Sequence, residues 1–242
     1  MKTALITGGT KGIGKSVAMR LLAEGYNLVL IYLSDNKTAC KTKDEFENLF
    51  PKSKINLLKV DCGNLQEIDI ISQYLFNNDI YLDVLIFNTG LTCRSDFENI
   101  TQENWQRVFN VNIHFPTFLL QAITKKIKYR GSIIFTGSLM GIYPHSLSLS
   151  YGVTKASVHA LVKNLVKVFA PQEIRINAIA PGFVNTGWQK SKPESQKKNI
   201  RKKIALGRFC EPTELTDAYW FLITNTYVNG EILVVDGAYA MS

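Results

Sequence analysis

The chain has 242 residues, 46% hydrophobic and 20% charged, a length that suits one α/β domain with a substantial core and a composition that excludes a disordered or fibrous protein. Its net charge of +8 would suit a polyanionic partner, but the surplus is local: Lys190, Lys192, Lys197, Lys198, Arg201, Lys202, Lys203 and Arg208 stand with the single acid Glu194 between Trp188 and Arg208. No nucleic-acid motif accompanies this stretch, so binding to nucleic acid is not expected.

No apolar run approaches the ~20 residues of a membrane span. Met-Lys-Thr-Ala-Leu-Ile-Thr leads straight into a glycine-rich loop, so neither a signal peptide nor a membrane anchor is expected and the cytoplasm is the default location. Cys40, Cys62, Cys93 and Cys210 are scattered, without a C-x-x-C pair or a nearby histidine; reduced thiols and no metal are expected.

In chain order, runs of aliphatic and β-branched residues predict strands at Thr3 to Thr7, Leu28 to Leu33, Ile55 to Val60, Val84 to Phe87, Ser132 to Thr136, Ile174 to Ala180 and Ile232 to Val235. Between them lie helix-length segments with apolar residues three or four apart, such as Val17, Leu21, Leu22 and Phe46, Leu49, Phe50. This βαβα alternation predicts a single-domain α/β fold, a Rossmann-like doubly wound parallel sheet of about seven strands with helices on both faces. Two segments interrupt it. Trp105 to Tyr129 reads as one long helical stretch containing Pro116, and Phe183 to Leu206 as a lysine-rich insertion at a strand's carboxyl end, the usual place of a substrate lid.

Thr7-Gly8-Gly9-Thr10-Lys11-Gly12-Ile13-Gly14 follows the first strand and opens the first helix. In that context glycines let the backbone turn tightly and approach a pyrophosphate at a helix N-terminus. The spacing T-G-x-x-x-G-x-G resembles the nucleotide loop of the short-chain dehydrogenase/reductase family, and the likeness extends along the whole chain. Asn88-Thr89-Gly90 is similar to the family's Asn-Asn-Ala-Gly element, with Phe87 and Thr89 departing from it; the resemblance places Asn88 and Gly90 on the adenine-ribose side. Asp61 matches an aspartate that contacts the adenine amino group, the other reading being a helix N-cap before Leu65. Along Pro181-Gly182-Phe183-Val184-Asn185-Thr186, which resembles a P-G-x-x-x-T turn, Gly182, Val184 and Thr186 would meet the nicotinamide and pyrophosphate, with the Val184 backbone at the carboxamide. An ordinary proline-glycine turn is the alternative. Gly8, Thr10, Lys11, Gly12, Ile13 and Gly14 would cradle the phosphates.

An NAD enzyme places an acid at the end of the second strand, where it would repel a 2′-phosphate. Tyr32 stands there instead, with Lys11, Ser34, Asn36 and Lys37 close by, which favours NADP(H) over NAD(H); Asp35 works against that preference.

Tyr151 and Lys155, four apart in a predicted helix, share one face. They match the family's Tyr-x-x-x-Lys, with Ser138 thirteen residues upstream and Asn112 in the preceding helix. Hydride delivery to a ketone creates an alkoxide that needs a proton. The neighbouring ammonium of Lys155 is expected to lower the Tyr151 pKa and to hold the nicotinamide ribose, and Ser138 to polarise the carbonyl. By the resemblance, Asn112 would hold a water linking Lys155 to solvent.

Leu91, Cys93, Phe183, Trp188 and the segment Leu139 to His145 are expected to supply mostly apolar pocket walls, His145 being read as a polar surface residue. Leu206-Gly207-Arg208-Phe209 and the ending Asn229 to Ala238 resemble the 3-oxoacyl-acyl-carrier-protein reductase branch. That likeness implies an acidic carrier protein as partner, met by the basic lid and by Lys125, Lys126, Lys128, Arg130, Lys163 and Lys167. It also implies a homo-oligomer, most often a tetramer, packed through the two long helices.

Overall fold

Every predicted strand forms, and all seven pair in parallel. The computed structural model describes residues 1–143, 148–190 and 192–241. Strands β1 (Thr3–Thr7), β2 (Asn27–Tyr32), β3 (Ile55–Lys59), β4 (Leu82–Phe87), β5 (Ile127–Thr136), β6 (Arg175–Pro181) and β7 (Ile232–Val235) make one sheet in the order β3-β2-β1-β4-β5-β6-β7. The order reverses between β1 and β4, where Ala4 to Thr7 run in register with Val84 to Phe87. That reversal opens a crevice beyond the strands' carboxyl ends, the place where this kind of sheet receives ligands.

Alternation along the strands divides the core between two faces. Leu5, Val29, Ile31, Leu85, Phe87, Ile133 and Phe135 point to one face. There they meet helices α3 (Ile68–Asn77), α5 (Phe115–Ile123) and α6 (Leu149–Phe169). Ala4, Ile6, Leu28, Leu30, Val84, Ile86 and Ile134 point to the other, packing on α1 (Gly12–Ala23), α2 (Asn36–Leu49) and α9 (Thr216–Thr224). Burial on both faces explains why the strands read as continuous apolar runs.

The predicted helix from Trp105 to Tyr129 is corrected. The stretch divides into α4 (Gln102–Phe109), a π-helical turn at Asn110–His114 and α5, and β5 already begins at Ile127. Pro116 lies in the first turn of α5, directly after the π-helical turn. The segment expected to form a lid contains two helices, α7 (Gly187–Lys190) and α8 (Glu194–Lys203). Among the described residues no helix is long and apolar enough to cross a membrane.

Candidate active site

The cleft beyond β1, β4 and β5 is lined by the glycine loop, the ends of β2 and β3, and α7, and it encloses about 600 Å³. Gly8 (φ 65°) and Gly12 (φ 56°) adopt the left-handed backbone that lets the chain turn from β1 into α1. Gly14 is needed for a different reason: a Cβ there would lie 2.2 Å from the Gly8 carbonyl oxygen. Helix α1 starts without a capping side chain and without an acid in its first turn. Its positive end and its unpaired N–H groups therefore face the cleft.

The loop is tied down by residues at the end of β4. The Thr7 hydroxyl accepts the backbone N–H groups of Asn88 (2.9 Å) and Thr89 (3.0 Å), while Asn88 Nδ2 donates to the carbonyls of Thr7 and Gly8. Asn88 lines the cleft beside Gly90, but its amide serves the loop. Thr10 is buried, and its carbonyl accepts the Thr42 hydroxyl at 3.0 Å.

At the outer end, Tyr32, Leu33, Ser34 and Asp35 form the wall opposite Lys11 and Ile13. Asp35 caps α2 by accepting the Thr38 N–H at 3.0 Å and lies 3.6 Å from Lys11 Nζ; the Thr38 bonds, with help from Lys11, hold its carboxyl below the usual range. Asp61 does not cap the following turn. Asn64 does, accepting the Gln66 N–H, while Asp61 accepts the Gly63 N–H at 2.7 Å and pairs with Arg107 at 3.0 Å. Arg107 lines the same cleft. The sequence reading overlooked it because its partner lies 46 residues away.

The far wall rises from β6. Gly182 donates its N–H to the Val235 carbonyl, Val184 is buried and bridges Cys210, and the Thr186 methyl lies 3.5 Å from where a Gly12 Cβ would stand, so the two walls meet across the cleft.

At the inner end Tyr151 and Lys155 project from α6, and Ser138 stands at the tip of β5. The Ser138 side chain shares the cleft with the Tyr151 phenol, whose ionised form it favours, and accepts the Met140 N–H at 3.1 Å. Lys155 Nζ donates to the Thr136 carbonyl at 2.6 Å and sits 5.5 Å from the centre of the Tyr151 ring. The expected lowering of the Tyr151 pKa is not met: burial raises it to about 12, with Ser138 pulling the other way. Burial also brings Lys155 down to about 8. In so apolar a site the cost of desolvating each charge exceeds the attraction between them.

Asn112 occupies the π-helical turn and is buried. Its side-chain oxygen accepts the Leu91 N–H, and its nitrogen donates to the Leu91 carbonyl and the Thr154 hydroxyl at 2.8–2.9 Å. The amide thus joins the loop after β4 to α6.

Leu91, Trp188 and Gln189 line the entrance, and the Trp188 ring stands 5.5 Å from that of Tyr151. Phe183 was expected here but packs elsewhere, against Phe209 and Tyr239. Cys93 stays outside the lining, its thiol beside the Ser95 hydroxyl and its carbonyl held by Ser148. His145 and Pro144 lie outside the described residues.

Such a cradle and such a Ser-Tyr-Lys group at one switch point define an oxidoreductase of the doubly wound class. The family model for short chain dehydrogenases matches residues 2–197, and the chain belongs to that family. It is 30% identical over 241 residues to a 3alpha-hydroxysteroid dehydrogenase of Mediterraneibacter gnavus, covering 98% of this chain and 96% of that one. It is also 30% identical over 240 residues to a 3-oxoacyl-acyl-carrier-protein reductase of Thermotoga maritima, with the same coverage. Among solved structures, a short chain dehydrogenase from Burkholderia cenocepacia in complex with NADP superposes with a TM-score of 0.91 at 22% identity, covering 99% of this chain and 98% of that one.

Proposed function

We propose that this chain is an NADPH-dependent carbonyl reductase whose substrates are 3-oxoacyl groups presented on an acyl carrier protein. The observation that carries the reading is the Tyr151 phenol, gathered with Ser138 and with Lys155 one helical turn away in the cleft that also contains the glycine loop.

The residues fit a dinucleotide. The uncapped, acid-free start of α1 suits a pyrophosphate. Tyr32 at the end of β2 leaves no carboxylate in the position that rejects a 2′-phosphate, and Lys11 and the Ser34 hydroxyl lie where they can receive one. Asp35, committed to the α2 cap, is the remaining opposition. Thr10, Gly12, Ile13 and Gly14 with Thr186 would enclose the phosphates, Asp61, Asn88 and Gly90 the adenosine side, and Gly182 and Val184 the nicotinamide side.

When bound, a reduced nicotinamide supplies hydride to the substrate's carbonyl carbon. Ser138 donates a hydrogen bond to the carbonyl oxygen, and Tyr151 releases its proton to that oxygen as negative charge develops there. A pKa near 12 keeps the phenol protonated at neutral pH, ready to donate. Lys155 directs one proton to Thr136 and keeps the others for the ribose hydroxyls and the Tyr151 side of the site.

Leu91 and Trp188 favour an acyl chain, and the lid's outer face supports an acidic carrier. Lys198 and Lys202 on α8 are exposed, whereas Lys192 is partly buried and donates to the Trp188 carbonyl and Gln189, burial first and then Arg94 and Lys197 disfavouring its charge. The docking cations expected around β5 are fewer than anticipated. Lys126 is buried against Asp79, Phe76 and Tyr81, while Lys128 pairs with Asp83 and Arg130 with Glu173; Lys125, Lys163 and Lys167 are exposed. The steroid dehydrogenase of M. gnavus, no less similar than the carrier-protein reductase, supports a second reading, a reductase or dehydrogenase of a free ketone or alcohol. A non-catalytic nucleotide-binding role is disfavoured by the complete set Asn112, Ser138, Tyr151 and Lys155. Exposed Phe118 on α5 and Val153 and Val168 on α6 support assembly into a homotetramer through these helices, and the cytoplasm is the compartment proposed.

The test is NADPH oxidation with an acetoacetyl group offered on acyl carrier protein, on a short thioester mimic and beside a panel of free ketones and steroids. Much faster turnover on the carrier is expected. Activity confined to free ketones favours the second reading, and cofactor binding without any turnover revives the non-catalytic one.

A further inference from the structure

The face of α6 that bears Tyr151 and Lys155 continues one turn further to His159, which is buried. Its Nε2 accepts the backbone N–H of Ser138 at 3.4 Å, and the ring lies against Gly141. Both glycines around the Ser138 turn are needed to admit it. A Cβ on Gly137 would stand 2.2 Å from His159 Nε2, and one on Gly141 would stand 2.8 Å from its Cε1. Gly137 in turn donates its N–H to Ile179 of β6 at 2.7 Å. The imidazole is therefore wedged into the turn that carries the Ser138 hydroxyl.

Burial brings the ring down to about 4, and the charged groups that face it, Lys155 and Lys163, act in the same direction by opposing a second cation. It stays neutral through the working range, with one nitrogen free to accept and the other carrying the proton. Packing alone does not require a histidine here. A leucine would occupy much of the volume but leave the buried Ser138 N–H without its acceptor.

We propose that His159 is a positioning residue for the carbonyl reduction: as an acceptor for the Ser138 N–H, it fixes the turn so that the Ser138 hydroxyl stays in hydrogen-bond reach of Tyr151 and of the substrate oxygen. The inference rests on the proposed reduction and adds to it a residue that touches neither substrate nor cofactor. It predicts a defect in turnover with cofactor binding preserved, because the turn lies at the inner end of the cleft, away from the phosphate cradle.

The experiment compares wild type, His159→Leu and His159→Gln. Measured are kcat and KM on the acetoacetyl thioester and the NADPH dissociation constant by fluorescence. His159→Leu is expected to lower kcat by ~10- to 100-fold, the scale of a misplacement of about 1 Å, with NADPH affinity changed less than about twofold on the same reasoning. His159→Gln, whose side-chain oxygen can accept the same N–H, recovers most of the loss. Unchanged kcat in His159→Leu, or equal loss in both variants with NADPH affinity intact, overturns the proposal.

Nitrogen-15 spectra of wild-type His159 supply a measurement independent of folding of the variants. A neutral ring protonated on Nδ1 between pH 5 and 9 is expected, and a proton on Nε2 overturns the proposal. Wild-type protein that binds NADPH and reduces nothing defeats the reading of the function instead, and the spectra still decide whether His159 holds Ser138.

Discussion

The two walls of the cleft are built on different physics. The wall made by the glycine loop and the end of β4 is held by main-chain geometry, with two left-handed glycines, a glycine pressed on a carbonyl and Thr7 and Asn88 bonded to backbone groups. The opposite wall rises from β6 through Gly182 and Val184 into α7, and α8 beyond it carries surface ion pairs of Arg201 and Lys197 with Glu194. Exposed pairs are worth little and are screened by salt, whereas a main-chain cradle tolerates almost no change. The first wall suits a ligand that never varies and the second one that does. Substitutions can therefore separate chemistry, cradle and lid.

The largest effect is expected where both walls converge on the reacting oxygen. Tyr151→Phe retains the ring and its contact with Trp188 but removes the proposed proton donor. Turnover should fall by ~10²- to 10⁴-fold, the range of a lost general acid, with NADPH affinity and thermal stability close to wild type. Single-turnover NADPH oxidation reads this directly, and near-normal turnover would remove Tyr151 from the mechanism.

Gly14→Ala tests the cradle. The new methyl would stand 2.2 Å from the Gly8 oxygen and 2.7 Å from Asn88 Nδ2, so the loop must shift. A loss of roughly 1–3 kcal/mol in stability is expected from such overpacking, together with about a tenfold or greater weakening of NADPH binding. Thermal melts and fluorescence titration measure the two, and a variant that keeps both would show that the loop is looser than its geometry implies.

Lys155 joins the cradle to the catalytic end, and its stability effect has a definite sign. Its pKa falls from 10.5 to about 8 on burial, so between those values the unfolded chain binds more protons and stability rises with pH. At pH 7 the buried ammonium carries the full penalty. Lys155→Met should therefore be inactive yet more stable at pH 7 by roughly 1–3 kcal/mol, less than the shift alone implies because the bond to Thr136 is lost. Its advantage should shrink as pH approaches 9.5, a limit chosen to stay below the ionisation of Tyr151 in the unfolded chain. An advantage that does not change with pH would mean that Lys155 is solvated in the folded protein.

What the sequence made legible follows the same division. The strands were visible because burial on both faces makes them apolar throughout, and Tyr151, Lys155 and the glycine loop because their spacing is local. Contacts between distant segments were hidden, including Arg107 on Asp61, Thr154 on Asn112 and His159 on Ser138. The Tyr151 pKa was misjudged because a sequence shows which charge is near but not how much water is removed. At Trp105 to Tyr129 helical periodicity continued into Ile127, and only the sheet shows that β5 begins there.

The smallest effect is expected on the lid. Lys198→Glu with Lys202→Glu reverses two exposed charges on α8 that touch neither the cradle nor Tyr151. If an acidic carrier docks there, kcat/KM on carrier-bound acetoacetate should drop by ~3- to 10-fold at low salt and converge with wild type at high salt, since steering of this kind is screened within a Debye length of about 10 Å at 0.1 M. Turnover of the short thioester, which has no acidic surface, should not change, and neither should the melting temperature. Equal loss on both substrates would mean that α8 acts through closure of the cleft. No loss on either would detach the basic surface from the carrier and leave the free-ketone reading the stronger one.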